Sequence, residues 1–291
     1  MWRWLLLLCL APAVLAAEPM RVVYPVGDSA DAFRYDDIRE LLRAALDKTA
    51  DAYGPYTLQP SGWPMDEERS LEELRRGHAV NVAWSSTSEA RELSLLPVRV
   101  DLRKGLLGYR IALIDGKRQP EFDQVHSRAD LGRFLIGQGK GWGDIKVYQA
   151  AALRVSTGRY DMLFGMLSQR RFDLLPRSVL EVFDEYRHFH GKYPNLEVEQ
   201  RLLFYYPWPY YFSCNRDDPA LTERLRLGLA RMRADGSFDA IFWKYHRDAL
   251  RQARMSERRL IPFANPLLPD SAPLNDKSIW YDPLRDRPPK P

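Results

Sequence analysis

An α/β fold in two lobes is what this sequence predicts, and three observations predict it. Strand-like apolar runs alternate with helix-spaced ones from Met20 onward, which implies a mostly parallel sheet. A long β-type run, Leu106–Ile114, then breaks the alternation and a second cycle begins behind it. A second β-type run, Leu202–Ser213, carries the chain back toward two closing helices.

The elements follow in order. Met20–Val26 is a β-rich run stopped by Gly27 and Asp28, and Ile38, Leu41, Leu42, Ala45 and Leu46 fall at helical spacing within 35–52. Tyr56–Leu58 reads as a strand, Asp66–Gly77 as a helix ending on glycine, and Ala79–Trp84 as a strand running into Ser85, Ser86, Thr87 and Ser88. In the second half, Ala129–Phe134 is a short helix, and Leu135–Ile136 is a strand opening the loop Gly137–Asp144. Tyr160–Gln169 is a helix, Arg171–Leu175 a strand, and Ser178 to about His188 a helix. Leu221–Arg233 and Phe238–Arg254 close the body, with Asp235–Gly236 as their turn. Residues 262–291 hold eight of the 21 prolines and show no period, so 263–291 is expected to form an extended strap or tail.

Composition narrows the function classes. Arg3 precedes an apolar run too short to span a bilayer and ending on Ala16–Ala17, so residues 1–16 read as a secretory signal peptide and the location as periplasmic. Its removal takes Cys9 and leaves Cys214 alone, so no intramolecular disulfide is expected. The formal charge of +4 drops to +3 with the loss of Arg3, and basic residues are interspersed with acids, which argues against nucleic acid. His78, His126, His188, His190 and His246 lack zinc spacing, Lys140 is followed by Gly141 rather than Ser or Thr, and no Gly-x-Ser-x-Gly elbow occurs. No metal, cofactor or catalytic centre is therefore expected.

Loops at the carboxyl ends of parallel strands bind ligands, and here those loops begin at Tyr24 and Trp84. Arg91 is suited to a bidentate carboxylate pair, with a plain surface role beside Glu89 and Glu92 equally open. The four glycines of 137–144 free backbone amides, and Gln138, Lys140 and Trp142 are expected to line the second lobe's face of a cleft. Arg177, between Pro176 and Ser178, is placed at a strand-to-helix junction within reach of that cleft, so Arg177→Ala is expected to weaken binding without lowering apo stability.

Three segments carry a resemblance: Arg21–Pro25, the Ser/Thr cluster with its arginine at 85–91, and Asp130–Leu131 through Gly137-Gln138-Gly139. Their order resembles type 2 periplasmic solute-binding proteins, as a divergent member of the family 3 amino-acid-binding group. The resemblance implies two α/β lobes joined by two crossing strands: lobe 1 from 18–110 plus 207–262, and lobe 2 from 111–206. It implies hinge closure on a small anionic or amino-acid-like ligand bridging Tyr24, Trp84, Ser85, Ser86, Thr87 and Arg91 to Gln138, Lys140, Trp142 and Arg177. It also implies a monomer serving a membrane permease or a sensor receptor. In those amino-acid binders the strand motif Gly-x-x-Asp-Ala ends on an acid that pairs with the ligand ammonium. Here that strand leads to the cation Arg177, with Glu181 one helical turn on as the candidate substitute. An interaction module without a solute, and a dehydratase-like enzyme using Glu181 near Arg177, are the alternatives.

Overall fold

In the computed structural model, residues 18–27 and 34–286 are described; the expected signal peptide lies outside them. The elements are β1 (Met20–Val26), α1 (Asp36–Asp47), α2 (Ala50–Tyr53), β2 (Tyr56–Pro64), α3 (Glu67–Arg75), β3 (Val82–Ser86), α4 (Glu89–Ser94) and β4 (Leu96–Val98). The second lobe supplies β5 (Tyr109–Asp115), α5 (Gln119–Asp123), β6 (Leu135–Gly139), α6 (Asp144–Ala150), β7 (Arg154–Gly158), α7 (Tyr160–Ser168), β8 (Leu174–Ser178), α8 (Val182–His190), β9 (Leu196–Val198) and β10 (Leu202–Tyr205). After these come β11 (Tyr210–Cys214), α9 (Pro219–Asp235), α10 (Ser237–Ala253) and β12 (Arg259–Pro262).

The first lobe holds two small sheets, β1–β2 in parallel and β3–β11–β4 in antiparallel. Asn81 joins them: its Oδ1 accepts from the Val23 N–H at 2.7 Å and its Nδ2 donates to the Arg21 carbonyl at 2.8 Å. The apolar stripe of α1 packs against Leu221, Leu225, Leu229 and Met232 of α9. Gly228 lets the two helices meet, because a Cβ there would lie 2.2 Å from the Ala45 carbonyl oxygen.

In the second lobe the order is β12-β10-β5-β8-β6-β7, with β9 on β5. One face of this sheet packs Leu163, Phe164 and Leu167 of α7 and Val182 and Phe183 of α8, and the other packs Val147 and Tyr148 of α6. The chain crosses between lobes at 101–109 and 205–210. Asp101 binds the crossings to each other: its Oδ1 accepts from the N–H groups of Arg103 and Gly105 at 2.9 and 2.7 Å, and its Oδ2 from that of Tyr210 at 2.8 Å.

Three sequence expectations change. The single run Leu202–Ser213 is two strands, because Pro207 and Pro209 interrupt it; β10 joins the second lobe's sheet and β11 the first's. The strand expected at 171–175 runs three residues later and carries through Pro176. Arg177 is therefore a strand residue rather than a loop residue. Finally, β12, expected within the first lobe, pairs in parallel with β10, because Ile261 completes the apolar face formed by Leu202 and Phe204. Helix α6 and strand β7 carried no expectation.

Candidate functional site

On the first lobe, Trp84 in the middle of β3 is 6 % exposed, with ring centroids 6.1 Å from Tyr24 and 5.8 Å from Tyr35. Ser88 caps α4 by accepting from the Arg91 N–H at 3.3 Å. The Arg91 side chain folds back: its Nη1 donates to the Ser86 carbonyl and hydroxyl at 2.7 and 3.0 Å, and its guanidinium pairs with Glu67 at 2.9 Å and Glu68 at 2.7 Å. Burial raises the Glu67 carboxyl above its ordinary range despite Arg91. Thr87 donates to Glu92 at 2.8 Å, and Ser85 is buried.

On the second lobe, Arg177 is 5 % exposed and bidentate to Glu185, Nε to Oε2 at 2.7 Å and Nη2 to Oε1 at 2.8 Å. Glu181 Oε2 lies 3.1 Å from its Nη2, and its guanidinium carbon stands 4.3 Å from the Trp142 ring centroid. Room for that indole comes from Gly139, where a Cβ would meet Trp142 at 2.2 Å. Tyr160 donates to Glu185 at 3.0 Å. Lys140 is exposed. Gln138 is fully buried, and neither of its amide atoms has a partner among the described residues.

The lobes meet through Glu181, which lies 3.4 Å from Arg34 of the first lobe and 3.8 Å from Arg110 of β5. Burial disfavours its charge, but Arg177, Arg34 and Arg110 outweigh that and hold the carboxyl below its ordinary range. Arg110 also pairs with Asp144 at 2.9 Å, and Asp144 accepts from Tyr206. Arg103 sits beside these groups at the hinge, bidentate to Asp37 at 2.7 and 2.9 Å and donating to the Arg34 carbonyl at 2.8 Å. His246 Nε2 is 3.2 Å from Asp37. Burial opposes the Asp37 carboxylate, yet Arg103 and His246 keep it well below the usual range; burial lowers His246 against the pull of Asp37.

A cavity of about 810 Å³ opens between the lobes. Arg34, Asp37, Arg103 and His246 line it from one side, and Tyr160, Glu181, Glu185 and Phe189 from the other. Among the residues singled out from sequence, Glu181 lines it; Tyr24, Trp84, Ser85, Ser86, Thr87, Arg91, Gln138, Lys140, Trp142 and Arg177 are not among its described lining residues. Arg177 and Trp142 stand directly behind the wall through Glu185 and Tyr160. The sequence reading missed Asp37, His246 and Glu185. Asp37 and His246 had a signal, since each is a polar residue on the buried stripe of its helix, four residues from Leu41 and from Leu250 and Phe242.

No family model matches the sequence, and no curated protein matches it. Solved structures do. An ancestral arginine-binding protein bound to arginine superposes with a TM-score of 0.51 at 18 % identity, over 79 % of this chain and 99 % of its own. The fold is that of the periplasmic binding proteins. The same fold is found at a TM-score of 0.52 and 14 % identity in an ancestral amino acid-binding protein, a precursor of cyclohexadienyl dehydratase, over 78 % of this chain and 94 % of that one. It also appears in a histidine kinase sensor domain with similarity to periplasmic binding proteins, at 0.50 and 15 % identity, over 79 % and 96 %. Within this binding-protein fold, no described helix is long and apolar enough to cross a membrane, and no metal-holding group of His, Cys, Asp or Glu occurs among the described residues.

Proposed function

We propose that this chain is a periplasmic solute-binding protein that takes a small, zwitterionic, amino-acid-like ligand between its lobes and closes on it by a hinge. The observation that carries the reading is the interlobe cavity of about 810 Å³, walled by charges of both signs from both lobes. That volume suits a small molecule. Arg34 and Glu181 already bridge the gap at 3.4 Å, so a ligand carrying a carboxylate and an ammonium can replace that single pair with two, one to each lobe. Such a ligand favours the closed form by its differential affinity, which is what drives closure.

In this reading 18–110 plus 207–258 form lobe 1, and 111–206 with β12 form lobe 2. Tyr24, Trp84, Ser85, Ser86, Thr87 and Arg91 support the first wall, and Gln138, Lys140, Trp142 and Arg177 support the second. Residues 1–16 direct export, the protein acts as a monomer without catalysis, and closure is read by a permease or a sensor receptor. The sensor alternative draws support from the likeness to a histidine kinase sensor domain.

The test is a thermal-shift screen of residues 17–291 against amino acids, organic anions and short peptides. A ligand at 100 times its Kd stabilises by about 2.7 kcal/mol. At about 2–4 °C per kcal/mol, the midpoint rises by about 5–11 °C. Shifts confined to amino acids support the reading; shifts confined to anions without an ammonium overturn the zwitterion, and a blank across the panel overturns solute capture.

A further inference from the structure

After β12 the chain does not leave the body. Phe263 is buried in the second lobe's core, and its N–H donates to the Tyr205 carbonyl at 2.7 Å, where the second crossing begins. Asn265 Nδ2 donates to the Pro207 carbonyl of that crossing at 2.9 Å. Two residues on, the Leu267 carbonyl accepts from the N–H of Glu89 in the first lobe at 3.1 Å. The Leu267 side chain lies 3.6 Å from where a Cβ on Gly143 of the second lobe would stand. Leu267 is thus a wedge touching both lobes.

The segment then returns to the other crossing. Ser271 lies 3.3 Å from Arg99, and Trp280 covers Gly105 so closely that a Cβ there would meet its ring at 2.3 Å. The Tyr281 N–H donates to the Lys104 carbonyl at 2.8 Å, its own carbonyl accepts from the Tyr109 hydroxyl at 3.0 Å, and its buried ring lies among Phe242 and Trp243.

We infer that residues 263–286 are a latch on the hinge, holding the two lobes together whether or not a ligand is bound. A hinge opens by changing φ and ψ in a few residues of its crossing segments. Here both crossings are held from outside, the first at Lys104, Gly105 and Tyr109 and the second at Tyr205 and Pro207. Opening must therefore undo the Tyr281 and Trp280 packing or pull Leu267 from between Glu89 and Gly143. The contacts come from α4, the residue before α6, the two crossings and Phe242 and Trp243 of α10, and none of these contacted residues lines the cavity. The latch therefore restrains the lobes without filling the cavity.

Its test needs no ligand, so it stands or fails apart from the proposed function. Spin labels are placed on Ala230→Cys and Gln149→Cys, exposed positions on α9 and α6, while buried Cys214 stays unlabelled. Interlobe distances are then measured by pulsed electron spin resonance in residues 17–291, which lack Cys9, in the same chain ended after Ala264, and in its Asn265→Gly/Leu267→Gly variant. The intact chain is expected to give one narrow distribution. The shortened chain should give a broader one with its mean longer by more than about 2 Å, the scale of a real rearrangement, and the double variant should move in the same direction by less. Wild-type distributions in both folded variants overturn the latch. If circular dichroism shows the shortened chain unfolded, the double variant decides alone, and an unchanged distribution in it overturns the latch equally.

Discussion

Replacing Glu185 with leucine strands Arg177 in a site where both side chains are 6 % exposed. Removing one partner of a buried ion pair costs about 3–5 kcal/mol, because the surviving charge stays desolvated. Arg177 keeps Glu181 at 3.1 Å and the Trp142 ring at 4.3 Å, which places the cost near the lower end, about 3 kcal/mol. At about 2–4 °C per kcal/mol the melting midpoint of the ligand-free protein falls by about 6–12 °C. The Arg177→Met/Glu185→Leu double variant removes both charges and refills the volume, so it should sit within about 1 kcal/mol of wild type. The assay is thermal unfolding followed by circular dichroism, with both single variants and the double variant closing a thermodynamic cycle. A single variant that loses under about 1 kcal/mol, or a double variant that loses the sum of the singles, would refute the claim that this pair acts as one buried unit. The same geometry predicts that Arg177→Ala lowers apo stability as well, opposite to the sequence-based expectation that it leaves it untouched.

Two further outcomes follow from the same burial arguments. Gln138 holds two amide atoms with no partner among the described residues at full burial, and such groups cost about 1–3 kcal/mol, so Gln138→Leu is expected to raise the melting midpoint of the ligand-free protein; a fall would mean the amide has a partner. Burial lowers the pKa of His246 below 6.5 in the folded state, so the unfolded chain binds the extra proton first and stability drops as pH falls through about 6.5. His246→Gln should flatten the wild-type loss in midpoint between pH 7 and pH 5.5, and an unchanged slope in that variant would assign the loss to other groups.

Much of the fold was legible because periodicity reports burial, and burial is what the elements share. The α1 stripe at 38, 41, 42, 45 and 46 and the two closing helices lie where their spacing put them. What misled was proline. Pro207 and Pro209 turn one apolar run into two strands of different lobes, while Pro176 sits inside a strand it was expected to end. A proline removes one donor, and whether that donor was needed depends on neighbouring strands that lie far away in sequence. The site was less legible than the fold for a related reason. Arg91 and Arg177 could be picked out as cations, but Arg91 lies in α4 and Arg177 in β8, and their partners at Glu67, Glu68 and Glu185 are set by how α3 and α8 pack, which no local pattern encodes.

Those partners also bear on what the cleft can hold. From sequence, a cation stands at Arg177 where an acid was expected, and the ligand reads as anionic or amino-acid-like. The folded chain supplies acids beside that cation: Arg177 pairs with Glu185 of α8 and with Glu181 just before that helix, and the cavity itself is lined by Arg34, Arg103 and Arg187 against Asp37, Glu181, Asp184, Glu185 and Asp248, so that carboxylates outnumber arginines. A net anion entering this wall would find each cation already engaged and would leave Glu181 and Glu185 repelled at close range. A molecule carrying both charges can exchange partners with the Arg34–Glu181 pair and leave the net charge of the site unchanged. For the solute-binding role proposed above, this excess of acids weighs against an anion and for a ligand that carries an ammonium, with Glu181 and Glu185 beside Arg177 taking the acidic place expected at that strand end.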